Sequence, residues 1–212
     1  MKKLITITLL LLVVIACKKE KSPLSKIQKT VEKVKKAKQN MNSVNTIAKG
    51  FQGMQQNIEK LKKLTPINKE TIKTWMPEKV LDMKRTKYEI GKQMGFAMVS
   101  NVNLDYKTAD KSKGVSLKII DGAGNGATQV SMTALSMQAD VESESETGYK
   151  KTKTFDNQKI LVEYSNPKYA NRSLFKYTID DRIYVEARGW GLKPNELWSY
   201  LKQLEIEKLI KS

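Results

Sequence analysis

The chain has 212 residues, with 39 Lys and Arg against 22 Asp and Glu, a single Cys and no His. A formal charge of +17 with 40% hydrophobic residues fits one ordinary domain plus an extension. The missing imidazole excludes Ser-His and Cys-His triads and His-based zinc sites, and one cysteine cannot build an internal disulfide framework.

Met1-Lys2-Lys3 is a short positive head, and the following stretch from Leu4 to Ala16 carries no charge. As a helix it would reach roughly 20 Å, short of the about 20 residues that a bilayer core requires. A charged head, a short apolar core and a small closing residue fit a secretory signal peptide over residues 1–16. The residues Val14-Ile15-Ala16-Cys17 resemble the lipobox of bacterial lipoproteins. The resemblance implies a diacylglycerol on the Cys17 thiol, cleavage before Cys17 and acylation of the new amine, so that palmitate-type chains hold the protein on a membrane. One chain anchors only marginally, and two or more anchor stably. The competing reading is an ordinary signal peptide with Cys17 at its cleavage site by coincidence. Against it, no A-x-A pattern suits cleavage elsewhere, and Lys18-Lys19-Glu20-Lys21 is charged. Lys18 after the cysteine, by resemblance to other lipoproteins, is not an inner-membrane retention signal. That points to the outer membrane in a host that has one.

Residues 17–25 read as the lipidated cysteine and a tether with Pro23. From Lys18 to Lys63 there are thirteen lysines and three glutamates, so the segment next to the anchor carries most of the excess charge. Beside a membrane such a strip is drawn to anionic headgroups, at about 1 kcal/mol per basic residue; the plainer reading is a solvated helix face. Nucleic acid, the other common partner of a basic chain, is not expected outside the cytoplasm. Apolar residues recur at gaps of three and four over residues 26–64, among them Ile27, Val31, Val34, Met41, Phe51, Met54, Ile58 and Leu61. This predicts a long basic amphipathic helical segment: a stalk, a coiled coil, a hairpin, or a helix packed on the rest of the protein. Asn40 to Asn45, or Gly50 and Gly53, are places where it could break into two helices.

Thr65-Pro66 ends that pattern, and Thr71 to Trp75 can form a helical turn before Met76-Pro77. From Val80 onward the texture turns to period two. Val102, Leu104 and Tyr106; Val115, Leu117 and Ile119; Ile160, Val162 and Tyr164; Phe175, Tyr177 and Ile179; and Ile183, Val185 and Ala187 each alternate with polar residues. These predict strands with one buried face, and the short links favour antiparallel pairing. Asp180-Asp181-Arg182 reads as a tight hairpin. Helices are predicted over Ala127 to Val141 and over Glu196 to Ile210, the latter with Pro194 near its first turn. The expected architecture is α+β: an antiparallel sheet with helices on one face over residues 75–212, preceded by the long amphipathic helical segment.

The region from Trp75 to Leu209 resembles the Mog1/PsbP-type α+β fold. The early strands, the helix after Asp121, Gly148-Tyr149 opening a strand pair, the Arg182-Ile-Tyr-Val-Glu strand and the final helix carry the likeness. The resemblance implies a partner-binding or assembly-supporting role without catalysis. Fold hosts unrelated jobs, so it transfers no site residue.

Asp121, Gly122, Gly124, Asn125 and Gly126 form the one candidate ligand loop. Glycine-rich loops before helices can hold phosphate on backbone N–H groups. The spacing matches neither G-x-G-x-x-G nor a P-loop, and Met132 stands where a calcium loop needs its last carboxylate. The alternative is a turn from strand into helix, its glycines supplying positive φ. Glu142, Glu144 and Glu146 would share one face of a strand, or lie in a solvated loop. Trp190, between Gly189 and Gly191, is a candidate interface anchor. No cofactor or metal is expected. The expectation is a membrane-anchored, non-catalytic cell-envelope lipoprotein that binds an envelope protein or supports assembly. The alternatives are a carrier of lipid or a small apolar ligand, with Met132, Met137 and Trp198 lining a groove, or an enzyme using carboxylate, lysine or tyrosine chemistry.

Overall fold

A computed structural model describes residues 41–91, 93–94 and 97–210, with side chains for 48–91 and 99–210. The expected segments over residues 1–40, including the signal, Cys17 and the tether, lie outside the described residues. Helix α1 (Met41–Lys62) runs without a break through Gly50 and Gly53. Its buried residues Met54, Ile58 and Leu61 fall on one face at spacings of four and three. The compact unit of the chain begins at Lys49, inside α1. The second half of the helix therefore belongs with the α+β fold, which the sequence pattern had begun at residue 75.

Thr65-Pro66 separates α1 from α2 (Lys69–Trp75). The Asn68 side chain accepts from the Thr71 N–H at 2.8 Å and caps α2. Met76 takes an extended conformation before Pro77, as the proline ring requires of its predecessor. Eleven strands follow in chain order: β1 (Lys79–Val80), β2 (Met83–Ile90), β3 (Gln93–Met94), β4 (Ala97–Met98), β5 (Asn101–Lys107) and β6 (Gly114–Asp121), then β7 (Glu142–Ser145), β8 (Gly148–Phe155), β9 (Gln158–Ser165), β10 (Arg172–Ile179) and β11 (Ile183–Trp190). Between β6 and β7 lies α3 (Ala127–Met137), entered by a 3-10 turn at Gly124–Gly126. After β11 come α4 (Pro194–Gln203) and a 3-10 turn at Ile206–Ile210.

Nine strands form one antiparallel sheet in the order β1-β2-β5-β6-β11-β10-β9-β8-β7. Two meanders, one on each side of α3, meet through their last strands, β6 and β11. The turns suit their residues. Asp156 and Asn157 between β8 and β9 have φ of 46° and 67°, and Asp180 and Asp181 between β10 and β11 have 50° and 51°. Asp and Asn tolerate the left-handed region that such tight hairpins demand.

The pleat sorts the residues of each strand between two faces. Leu117 and Ile119 of β6, Phe175 of β10 and Val185 of β11 join the main core with Ile72 of α2 and Leu197 and Leu201 of α4. This helical layer covers one face, as the order of elements predicted. Helix α3 lies on the other face at one end, where Val130 meets Ile120, Tyr184 and Val99. Ile120 and Tyr184 alternate with Ile119 and Val185, so the two clusters sit on opposite sides of the sheet. Helix α1 packs against α3: the Asn57 amide donates to Ser131 Oγ and to the Asp181 carbonyl, both at 2.9 Å. A Cβ on Gly50 would come 3.0 Å from Leu135, which explains a glycine at this close crossing.

Candidate functional site

Beyond α3, no described residue covers the second face of the sheet, and that face is polar. The registers place its residues in rows across neighbouring strands. The outermost row runs Lys84, Lys107, Gly114, Trp190, Arg172 and Ser165. The next runs Lys87, Asp105, Ser116, Arg188, Leu174 and Glu163. Paired residues in antiparallel strands lie side by side on one face, so these rows form a continuous surface.

Trp190 is half-buried. A Cβ on Gly114 would fall 1.9 Å from its ring, so the indole occupies the space that any other residue would fill there. The Lys107 ammonium sits 5.8 Å from the ring centroid on the opposite strand pair. On the other side lies Arg172, exposed, with no hydrogen bond or ion pair from its guanidinium among the described residues. Arg188 is also exposed, and its Nε and Nη2 donate to Glu186 Oε1 at 2.9 and 2.7 Å. The Tyr184 hydroxyl donates to the other oxygen of Glu186 at 2.9 Å. Lys150 pairs with Glu163 at 2.9 Å. Two shallow hollows open on this face. One, of about 320 Å³, is lined by Ser116, Leu174, Arg188 and Trp190; the other, of about 360 Å³, by Ser143, Lys150, Glu163 and Tyr164. Arg172 and Leu174 line both. The arrangement offers a half-exposed aromatic and a leucine ringed by cations, the composition of an interface anchor with a polar rim.

The glycine-rich loop is built differently. Asp121 is buried, 2% exposed, and its carboxylate accepts four hydrogen bonds. Arg182 Nε and Nη2 donate to Oδ1 and Oδ2 at 2.9 and 3.1 Å. The backbone N–H groups of Ile67 and Ala123 donate at 2.8 and 3.0 Å. Gly126 lies where a Cβ would come 2.1 Å from the Asp121 carbonyl, and Gly124 has φ of +60°. Gly122 donates its N–H to the Arg182 carbonyl at 2.8 Å. Asp121 thus joins the β10–β11 hairpin to the α1–α2 link, and the glycines make the turn into α3. Asn125 is exposed at its tip.

The other sequence candidates are dispersed. Glu142 and Glu144 lie on β7, the exposed edge strand, and Glu146 lies in the turn after it. Met137 packs beside Ile120 and Tyr184 on the α3 face. Trp198 lies on α4, with its ring 5.5 Å from Phe155 and its N–H donating to Asp156 at 2.9 Å. Met137 and Trp198 are therefore on opposite sides of the sheet and line no common groove. Sequence reasoning missed Arg172 and Leu174, whose place beside Trp190 depends on strand register. Among the described residues, no group of three or more Cys, Asp or Glu is placed to hold a metal ion, and no helix is long and apolar enough to cross a membrane.

Comparison of the chain with protein-family models, with curated proteins and with solved structures finds no match.

Proposed function

We propose that the protein is a lipid-anchored, non-catalytic binding module of the bacterial cell envelope. Cys17 carries the acyl chains after cleavage of residues 1–16, and the outer membrane is its site in a host that has one. The α+β domain binds an envelope protein through the open face around Arg172, Leu174 and Trp190. The observation that carries this reading is that face itself: Arg172 has no anionic partner, Leu174 and Trp190 are incompletely covered, and two hollows converge on them. The Val14-Ile15-Ala16-Cys17 motif supports the anchor, and the Mog1/PsbP resemblance agrees with a partner-binding role.

A photo-crosslinking amino acid placed at Arg172 in intact cells tests it. A single protein adduct is expected, lost when Leu174→Asp is added and weakened when Cys17→Ser removes the anchor. The same probe at Lys159, an exposed position beside α3 paired with Asp140, should give no such adduct. Recovery of lipid alone, or equal adducts at both positions, would sink the protein-binding reading.

A further inference from the structure

The end of the sheet farthest from α3, where the open face reaches its outermost row, carries a second feature. The register brings the β1–β2 turn, the β5–β6 hairpin and the β9–β10 loop to this one end. They abut. The Gly191 N–H donates to the Asn171 carbonyl at 2.9 Å, and a Cβ on Gly191 would come 2.5 Å from the Ser112 carbonyl.

Three large apolar or aromatic side chains are exposed among the described residues, and two of them are here: Leu81 at 49% and Tyr169 at 50%. Leu81 also has φ of 54°. A leucine in the left-handed region is strained, and about half of its side-chain surface stays exposed. Around these tips lie Lys84, Lys107, Lys111 and Lys168, none of them in an ion pair among the described residues. Lys84 and Lys107 are direct register partners, and like charges placed opposite each other on one face are destabilising. The Lys168 ammonium lies over the Tyr169 ring at 5.6 Å from its centroid. Two carboxylates at this end are turned to internal work. Asp82 accepts from the Tyr200 hydroxyl, and Asp110 accepts from the hydroxyls of Thr108 and Ser112 at 2.6 and 2.7 Å. Those hydrogen bonds hold the Asp110 pKa down to about 2. Glu146, in the β7–β8 turn, lies at this end too: its carbonyl accepts from the Asn166 amide of the β9–β10 loop at 3.0 Å, and it stands beyond the lysines, at the edge of the sheet.

We propose that this end of the sheet rests on an anionic phospholipid surface, with Leu81 and Tyr169 entering the interface and the lysines on headgroup phosphates. Exposed leucine and tyrosine at loop tips, ringed by unpaired lysines, complement both layers of such a surface: apolar below the headgroups and negative at them. The array of phosphates relieves the Lys84–Lys107 repulsion, and burial of Leu81 offsets the cost of its backbone. The inference does not depend on the acyl anchor or on protein binding at Arg172, Leu174 and Trp190, although Lys84 and Lys107 stand in the same outermost row as Trp190. With an anchor present, even weak contact is effective, because tethering raises the local concentration.

The test uses the full chain with Cys17→Ser, which leaves no native thiol, and single cysteines introduced by Leu81→Cys, Tyr169→Cys or, as a remote control on α3, Ser136→Cys. Each is labelled with an environment-sensitive fluorophore. Vesicles are either phosphatidylcholine alone or phosphatidylcholine with phosphatidylglycerol in equal parts. Blue shifts are expected at positions 81 and 169 with the anionic vesicles and not at 136. Lys84→Glu with Lys107→Glu should weaken binding about tenfold or more, from roughly 1 kcal/mol per basic contact, with the circular dichroism spectrum unchanged. Equal shifts on neutral vesicles, or shifts at position 136 as large as those at 81, would overturn the proposal. So would displacement by inorganic phosphate beyond that by chloride at equal ionic strength, which would mark a discrete phosphate site. Unchanged binding in the double Lys→Glu variant would overturn it as well.

Discussion

At the scale of residues, the fold depends on a few polar groups with no slack. Asp121 accepts from Nε and Nη2 of Arg182 and from two backbone N–H groups of separate loops. Removing one partner of a buried ion pair leaves the other uncompensated, so Asp121→Ala should cost about 3–5 kcal/mol, read by urea denaturation. If the glycine-rich loop were chiefly a ligand loop, the same change would leave stability nearly intact. The Lys113–Glu196 pair, 2.8 Å apart, links the β5–β6 hairpin to α4 and sets a pH dependence. The hydrogen bond from Lys113, then that from the Lys193 N–H, lowers the Glu196 pKa, and the hydrogen bond to Glu196 raises that of Lys113. A lowered carboxylate pKa contributes stability that is complete above the ordinary carboxylate range and is lost as pH falls through the lowered value. A raised lysine pKa contributes stability complete below the ordinary lysine range and lost as pH rises through the raised value. The Tm difference between wild type and Glu196→Gln should therefore be flat across neutral pH and shrink below about pH 4.

At the scale of elements, the helices were largely legible because their burial is local. Ile58 and Leu61 repeat at helical spacing in the sequence and are both buried. Ile58→Ala should cost about 2–5 kcal/mol by cavity formation, while Gln56→Ala, on the exposed face of α1, should change little. Strands β5, β6, β9, β10 and β11 were legible from strict alternation. Strand β8 was not. Its core-side positions are Tyr149, Lys151, Lys153 and Phe155, and the two lysines lie over the Tyr149 ring at 4.7 and 4.6 Å. Aliphatic stems and cation–π contact replace the apolar pattern that marks a strand. The Asp156-Asn157 pair was the available sign of its hairpin. Trp190 illustrates the limit of local reading. Glycines beside it in sequence suggested exposure, but the glycine that shapes its pocket is Gly114, on the neighbouring strand of the sheet but separated in the chain by α3 and strands β7 to β10. Gly114→Ala should push the indole off the sheet, seen as a red shift in tryptophan emission relative to wild type.

At the scale of the whole molecule, the proposed anchor at Cys17 makes a prediction of its own. Cys17→Ser should abolish incorporation of a palmitate analogue and move the protein from the membrane fraction to the soluble fraction after signal processing is bypassed. The domain's Tm should stay the same, because the buried residues from Met54 to Leu209 already form a core. A Tm shift of several degrees would show that the anchor and the fold are coupled.

The sequence by itself determined the α+β class, the antiparallel strands and the position of most helices. Those follow from hydrophobic period and turn chemistry, which act over a few residues. It also presented the signal-like head and Cys17, a short-range pattern read without a fold. Only the tertiary structure decided that Asp121 serves Arg182, that α3 lies on the opposite side from α2 and α4, and that Arg172, Leu174 and Trp190 share one face. These depend on pairing between strands distant in sequence, and a register shift of one residue would send each side chain to the other face.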